Sequence, residues 1–264
     1  MKSKHISIIK CSALMVILLY NTAFSQSVLH DAVKIAIYTD DPRKEIMNNI
    51  ENGRTDLLLI QAGQLHGHYC PGLAMGVMAA YYAIKEMKAD SISMEGLRAI
   101  IETRNCVADG VQFVTGCTVG NGSLIYKDTG KTSLTLVNKD GKGIRICSKQ
   151  ESPDIINATF PAFQEYYQKV VVKKSKDSIL IAKYKQASLD RNFGTLNIPF
   201  NKLFTIQHIK IKIPVNTGKN ESVVCSVCGE SVKKTKATEV NGKIVCATCS
   251  NAAVGTFDEN GIHF

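Results

Sequence analysis

The pattern of apolar and polar residues predicts a mainly helical chain with a group of strands in its middle. The predicted helices are 31–37, 43–50, 73–88, 107–114, 161–172 and 178–189. The predicted strands are 97–102, 124–127, 133–137, 143–147 and 204–213. Residues 55–64 fit either state, because their apolar positions form one continuous run. Helices and strands are segregated along the chain, which predicts an α+β fold in which the strands from 124 to 147 form a meander.

The first 25 residues have the pattern of a secretory signal peptide. Three lysines precede an apolar run at 13–20, and Ala23 and Ser25 supply the small residues that a signal peptidase reads. An uncleaved N-terminal anchor is the alternative. No later segment is long and apolar enough to cross a membrane. We therefore expect an exported protein, periplasmic or secreted, with no stable membrane span after cleavage.

Composition limits the partners and sets the domain count. The formal charge is +9, and removing the three lysines of the signal peptide leaves +6. No dense block of lysine and arginine is present, so nucleic acid is not an expected partner. About 240 residues remain after cleavage, enough for one sizeable domain and a small one. The predicted division is a core domain at 28–215 and a cysteine-rich domain at 221–264.

The segment His66-Gly67-His68-Tyr69-Cys70-Pro71-Gly72 combines two imidazoles and a thiol within five residues. Such ligands suit zinc, copper or nickel. The Pro-Gly pair leaves the thiol of Cys70 at the N-terminus of the next helix, where the helix dipole favours a thiolate. A buried cysteine with two surface histidines at a turn is the alternative. Within that helix, Gly76 is expected to mark a close approach of another element.

A second cluster contains Cys106, Asp109, Gln112 and Cys117. Alone it is equally compatible with a disulfide between its two cysteines. If it meets the first loop, three ligands from the two clusters could bind a metal and leave a position open. The candidate ligands are His66, His68, Cys70, Cys106 and Cys117. Among them we favour His68, Cys70 and Cys117, with Cys106 or His66 completing the site. Asp109 and Gln112 would orient ligands or carry protons beside Cys70, and these three residues are the candidate catalytic group.

The C-terminal block contains two Cys-x2-Cys pairs, Cys225 with Cys228 and Cys246 with Cys249. Each pair can present two thiolates to one tetrahedral ion, and the stretch between the pairs is long enough for a hairpin. This spacing predicts a structural zinc site of the zinc-ribbon or treble-clef type. Two disulfides are the alternative, which export makes more credible.

The motifs of both core clusters resemble those of the FmdE family of formylmethanofuran dehydrogenase components. The matching residues are His66-Gly67-His68-x-Cys70-Pro71-Gly72-Leu73-Ala74-x-Gly76, Cys106-x2-Asp109-Gly110-x-Gln112, Gly116-Cys117-Thr118-x-Gly120-x-Gly122-x-Leu124 and Gly130-Lys131. The resemblance extends from about Leu57 to Cys147. It implies an α+β core with a metal near Cys70, a C-terminal treble-clef zinc domain and a homodimer.

Three functions follow from these residues. In the first, a second transition metal, zinc among the choices, supports redox or hydrolytic chemistry at the core site, with no substrate implied. In the second, the same residues store or deliver a metal without turnover, or serve an accessory role. In the third, the loop thiols form disulfides in an interaction protein. Metal content distinguishes the third from the other two.

Overall fold

The computed structural model describes residues 41–87, 96–213, 221–258 and 261–263. The predicted signal peptide, helix 31–37 and the boundary between the two predicted domains lie outside these residues, so they stay predictions. The helices are α1 (Lys44–Glu51), α2 (Thr55–His66), α3 (Pro71–Glu86), α4 (Cys106–Thr115), α5 (Ser152–Thr159), α6 (Pro161–Tyr167), α7 (Ser178–Gly194) and α8 (Phe200–Leu203). The strands are β1 (Arg98–Ile101), β2 (Leu124–Tyr126), β3 (Ser133–Val137), β4 (Lys142–Ser148), β5 (Phe204–Lys210), β6 (Ser222–Val224), β7 (Ser231–Lys233), β8 (Ala237–Val240), β9 (Lys243–Cys246), β10 (Thr256–Asp258) and β11 (Gly261–His263).

The chain divides into two compact units, Met1–Asn52 and Gly53–Phe264. The described part of the first unit is dominated by α1, whose N-terminal turn is held by the Asp41 carboxylate, which accepts a hydrogen bond from Arg43 N at 2.8 Å. The second unit contains the sheet, the remaining helices and the cysteine-rich C-terminal segment. The ambiguous run at 55–64 is helical, as part of α2.

The central sheet has the strand order β2-β1-β3-β4-β5. β1 and β2 are parallel, and the other neighbours are antiparallel. The meander prediction is wrong for β2, because this strand pairs with β1 and not with β3. A parallel pair needs a crossover connection, and α4 supplies it between β1 and β2. The mixture of a mostly antiparallel sheet with helices confirms the α+β fold class.

Helix α3 is the central helix of the core, with ten of its sixteen residues buried. It crosses α4 where both helices carry glycine. A Cβ on Gly76 would collide with the carbonyl oxygen of Val107, and one on Gly110 would lie 2.7 Å from the Leu73 oxygen. This close crossing confirms the packing role expected for Gly76 and brings the N-terminal ends of the two helices together.

The segment after β4 differs from the sequence pattern at several places, of which three concern helices α5 to α7. Helix α5 was not expected, the helix predicted at 161–172 changes to π geometry over Gln168–Val172, and α7 continues five residues beyond its predicted end. Of the residues of α7, only Ala187 and Asn192 are buried. The limits of such helices are difficult to predict from hydrophobic periodicity, because too few of their residues are buried to give a regular apolar pattern.

The C-terminal segment is built from three short hairpins, β6–β7, β8–β9 and β10–β11. Asn241 and Gly242 form the two-residue turn of the second hairpin, and both have positive φ, which such tight hairpin turns require. Within the described residues, none of the helices is long and apolar enough to serve as a membrane span.

Candidate metal centres

The first ligand of the core site is the last residue of α2. Gly67 adopts the left-handed conformation after His66, with φ of 85°, and ends the helix there. The Nδ1 of His66 lies 2.7 Å from Asp109 Oδ2, so this nitrogen donates a hydrogen bond to the carboxylate. With the proton on Nδ1, the ring can offer its Nε2 lone pair to a metal, and Nε2 lies 3.8 Å from the sulfur of Cys70.

Cys70 caps the N-terminus of α3. Its sulfur accepts a hydrogen bond from Leu73 N at 3.3 Å, and Pro71 occupies the first helical position. Burial raises the pKa of the Cys70 thiol to about 11, and the Leu73 amide opposes this effect by stabilising the thiolate. A cation bound at the sulfur would favour the thiolate much more strongly than the amide does.

Cys106 is the first residue of α4, directly after the capping residue Asn105, whose side chain accepts from Val107 N at 3.0 Å. The two helix N-termini meet at Gly72. A Cβ there would lie 3.1 Å from Cys106 Cβ and 3.8 Å from the sulfurs of both Cys70 and Cys106. Two helix dipoles therefore point their positive ends at two neighbouring thiols.

The structure brings together His66, His68, Cys70 and Cys106, whose ligand atoms all lie within 4.8 Å of one another. His68 is exposed, whereas the other three are partly buried. The rings of His66 and His68 are 4.4 Å apart. Two thiolates and two imidazoles form a donor set that neutralises a divalent ion and suits tetrahedral coordination.

Cys117 lies outside this group, although the sequence favoured it over Cys106 as a ligand. Cys106 begins α4 and Cys117 lies two residues beyond its end, so the length of this ten-residue helix, about 15 Å, separates the two thiols. One ion cannot be reached from both ends of such a helix. Cys117 is buried, with 1% of its surface exposed, and its amide donates to Thr115 Oγ1 at 3.1 Å.

Asp109 and Gln112 lie one turn apart on α4, beside the ligands. Gln112 Nε2 donates to Asp109 Oδ1 at 3.3 Å, while the other carboxylate oxygen of Asp109 contacts His66. This chain of contacts fixes the orientation of the His66 ring. It also links the candidate site to solvent, since the Asp109 side chain is 36% exposed.

Helix α7 contributes residues that the sequence analysis missed. Asn192 is buried, and its Nδ2 donates to the carbonyl oxygen of Tyr69 at 2.8 Å, which fixes the loop between the two histidines and Cys70. Arg191 lies close enough to interact electrostatically with Cys70, and burial lowers its pKa. Among the described residues its buried Nε has no hydrogen-bond partner, while its guanidinium stacks on Phe163 at 4.3 Å. Nothing in the lysine-rich pattern of this helix distinguishes these two positions.

The second candidate centre is formed by Cys225, Cys228, Cys246 and Cys249, whose sulfurs also lie within 4.8 Å of one another. All eight described cysteines are free thiols. The Cys246 amide donates to the sulfur of Cys225 at 3.3 Å. Backbone amides, that of Cys228 foremost, lower the pKa of Cys225 to about 6. The pKa of Cys249 is raised to about 12, mainly by the hydrogen bond between the Cys249 and Cys246 side chains. Four cysteine sulfurs that lie close together and accept hydrogen bonds from backbone amides are typical of a zinc-ribbon site.

The chain has sequence similarity to known proteins. Residues 65–205 match the family model described as FmdE, molybdenum formylmethanofuran dehydrogenase operon. A probable S-adenosyl-L-methionine-binding protein of Archaeoglobus fulgidus is 30% identical over 200 residues, which cover 74% of this chain. The match covers 53% of that protein, so the chain spans about half the length of this curated relative.

Among solved structures, a tungsten formylmethanofuran dehydrogenase FmdE-like protein from Syntrophus aciditrophicus matches with 22% identity and a TM-score of 0.46. The match covers 74% of this chain and 91% of that protein. The matched range, residues 65–205 of this chain, includes every candidate ligand of the core site.

Proposed function

We propose, from the premise that this chain belongs to the FmdE family, that it is an exported metal-binding protein with two metal centres. The core site would hold a transition metal, for which zinc is the best fit, and the four C-terminal cysteines would hold a structural zinc. The observation that carries the proposal is the convergence of His66, His68, Cys70 and Cys106 within 4.8 Å. Clusters of two thiols and two imidazoles at this spacing match the requirements of zinc.

The four core ligands are not equally constrained, and this difference supports metal-dependent chemistry. His66 is oriented by Asp109, and the two cysteines start helices. His68 is exposed on the loop between α2 and α3. Release of His68 would leave three protein ligands and an open position, the arrangement of catalytic zinc sites. A zinc ion there would supply Lewis-acid chemistry, and a redox-active transition metal would supply electron transfer. Asp109 would hold or move a proton through the hydrogen bond with His66.

Metal content tests this proposal directly. Protein purified without an affinity tag should contain two equivalents of metal per chain. Cys70→Ser should remove one equivalent and leave the C-terminal ion, whereas Cys228→Ser should remove the other. Retention of both equivalents in Cys70→Ser would show that the core site is not built from this loop. Protein that contains no metal and no free thiols would contradict both centres.

The alternative function is metal storage or delivery, or an accessory role without turnover. Its support is that all four core ligands come from the protein, since a closed set of four leaves no position for a substrate. His68→Ala distinguishes the two functions. In a catalytic site the variant should keep the metal and gain a bound water, detected as a change in the visible spectrum after cobalt substitution. In a storage or delivery site the variant should release metal faster to a chelator, with no water ligand gained.

Export and dimerisation complete the proposal. Export is supported by the apolar run and small residues within the first 25 positions. It is tested by N-terminal sequencing of the protein from the extracytoplasmic fraction, which should begin at Gln26.

A homodimer is supported by exposed apolar side chains around α6 and α7, namely Val171, Val172, Ile179 and Leu189. Light scattering should give twice the mass of the mature chain, and the mass of a single chain would exclude a stable dimer.

A further inference from the structure

A cavity of about 350 Å³ lies where the parallel strands β1 and β2 end. Ile101 and Tyr126, the last residues of these strands, line it together with Asp109 and Gln112 of α4. In open parallel α/β sheets, ligands bind in the crevice outside the carboxyl ends of the strands, and this cavity has the same position relative to the single parallel pair β1–β2. The volume falls within the range of small-molecule sites, which is about 300–1,000 Å³.

One wall of this cavity is aromatic and is shared between the core and the C-terminal segment. The ring of Tyr126 lies 4.7 Å from the ring of Phe257, which belongs to β10. Asp128 ties the two parts together, since it accepts hydrogen bonds from the Tyr126 hydroxyl at 2.6 Å and from Ile262 N at 3.4 Å. Phe257 remains 50% exposed. A flat ligand on this wall would remove further aromatic surface from water.

The rim of the cavity carries a cation. The guanidinium carbon of Arg104 is 5.8 Å from the centroid of Phe257, and among the described residues Arg104 has no ion-pair partner. The carboxylate of Asp109 also lines the cavity, but His66 and Gln112 engage its two oxygens. Arg104 therefore attracts the anionic group of a ligand to its end of the cavity. The ring of the same ligand would then lie against the aromatic wall and face Asp109.

We propose that this cavity, the Arg104 pocket, binds a flat aromatic or heteroaromatic small molecule that carries one anionic group. Its ring packs on Tyr126 and Phe257, and its anionic group pairs with Arg104. This site goes beyond the two metal centres, and Asp109 joins it to the core centre because this residue lines the pocket and contacts His66. The C-terminal segment completes the pocket through Phe257.

Binding of 2-naphthoate to the full-length chain tests the proposal. The chain has no tryptophan, so the fluorescence of the naphthalene ring can be followed without interference from indole. We expect saturable binding of one equivalent, with 2-naphthamide, the neutral analogue, binding at least about tenfold more weakly. Arg104→Gln should weaken naphthoate binding by a similar factor and leave the amide unaffected. Arg54→Gln is the matched control, because it removes the same charge at the opposite end of α2 from His66 and should leave the affinity unchanged.

Three results would overturn the proposal. They are equal affinity for the acid and the amide, unchanged affinity in Arg104→Gln, and no saturable binding up to about 1 mM naphthoate. Cys70→Ser separates this inference from the proposed metal function. Naphthoate binding retained in that variant supports a pocket that is independent of the core metal. Binding lost in a variant with an intact circular dichroism spectrum would assign the naphthoate to the metal and overturn the role of Arg104.

Discussion

Glu102 follows β1 directly and forms a largely buried ion pair with Arg145, whose side chain is 22% exposed against 11% for Glu102. Its Oε1 accepts from Arg145 Nε at 2.8 Å, and its Oε2 accepts from Thr129 Oγ1 at 2.8 Å. These contacts, that with Arg145 foremost, lower the pKa of Glu102 to about 2, although burial acts in the opposite direction. The pair joins the end of β1 to β4 across β3, close to the loop from which Arg104 and Cys106 extend.

The depressed pKa predicts how stability changes with acid. The carboxylate contributes its full stabilisation above the ordinary glutamate pKa of about 4.5, and the contribution is lost as pH falls towards 2. Glu102→Gln should therefore lower the free energy of unfolding by about 2–3 kcal/mol at pH 7, measured by urea denaturation. The difference from the wild type should shrink progressively between pH 5 and pH 2.

A matched surface variant serves as the control for Glu102. Glu165→Gln removes an exposed partner of Lys169 and should change the unfolding free energy far less than Glu102→Gln does at pH 7. A Glu102→Gln effect that is equally small at pH 7, or that grows on acidification, would contradict the assigned ion pair.

At the scale of elements, the core site depends on the crossing of α3 and α4. The cysteines lie at the two helix starts, and the contact at Gly76 and Gly110 sets how closely those starts approach. A glycine in the middle of a helix lowers intrinsic helix stability by about 1 kcal/mol relative to alanine. Both glycines persist here because the neighbouring backbone leaves no room for a Cβ.

Gly76→Ala should therefore destabilise the protein, although alanine is the better helix former. The added methyl group collides with the Val107 carbonyl, and we expect a loss of about 1–3 kcal/mol in urea denaturation. The metal content of the core site should fall as well, because the helix starts are pushed apart. Gly120→Ala is the control, since its Cβ would meet only Thr118 Oγ1 at 3.9 Å. A Gly76→Ala protein as stable as the wild type would show that α3 and α4 can separate without penalty.

At the scale of the whole molecule, the C-terminal segment has too little apolar core to fold by burial alone. Across residues 221–258 and 261–263, the buried side chains are those of Cys225 and Val245. Small domains of this kind depend on a metal or on disulfides. This segment nevertheless supplies Phe257 to the Arg104 pocket, so its integrity affects the core as well.

Removal of metal should unfold the C-terminal segment and leave the helical core intact. After treatment with a chelator under reducing conditions, limited proteolysis should cleave within 221–258, while the helical circular dichroism signal is retained. Cys228→Ser should show the same cleavage without the chelator, and Cys70→Ser should not. Continued protection of the segment in metal-free protein would mean that its hairpins are held by contacts other than a metal.

The sequence by itself determined those features that depend on residues close together along the chain. The FmdE family and the four-cysteine cluster were predictable, because each rests on residue types at fixed short spacings. The α+β class was predictable from the segregation of helical and strand patterns along the chain. Helix α3 and strand β3 were predictable because their apolar positions follow one regular pattern. The signal peptide and the division into domains remain predictions of the sequence alone.

Tertiary structure decided which distant groups meet. It placed Cys106 with the first loop and Cys117 elsewhere, because a ten-residue helix separates the two thiols. It paired β2 in parallel with β1, and it brought Arg191 and Asn192 to the loop that carries Cys70. Spacing along the chain fixes which ligands can act as neighbours within a loop, but only the packing of α3, α4 and α7 fixes which loops share a site.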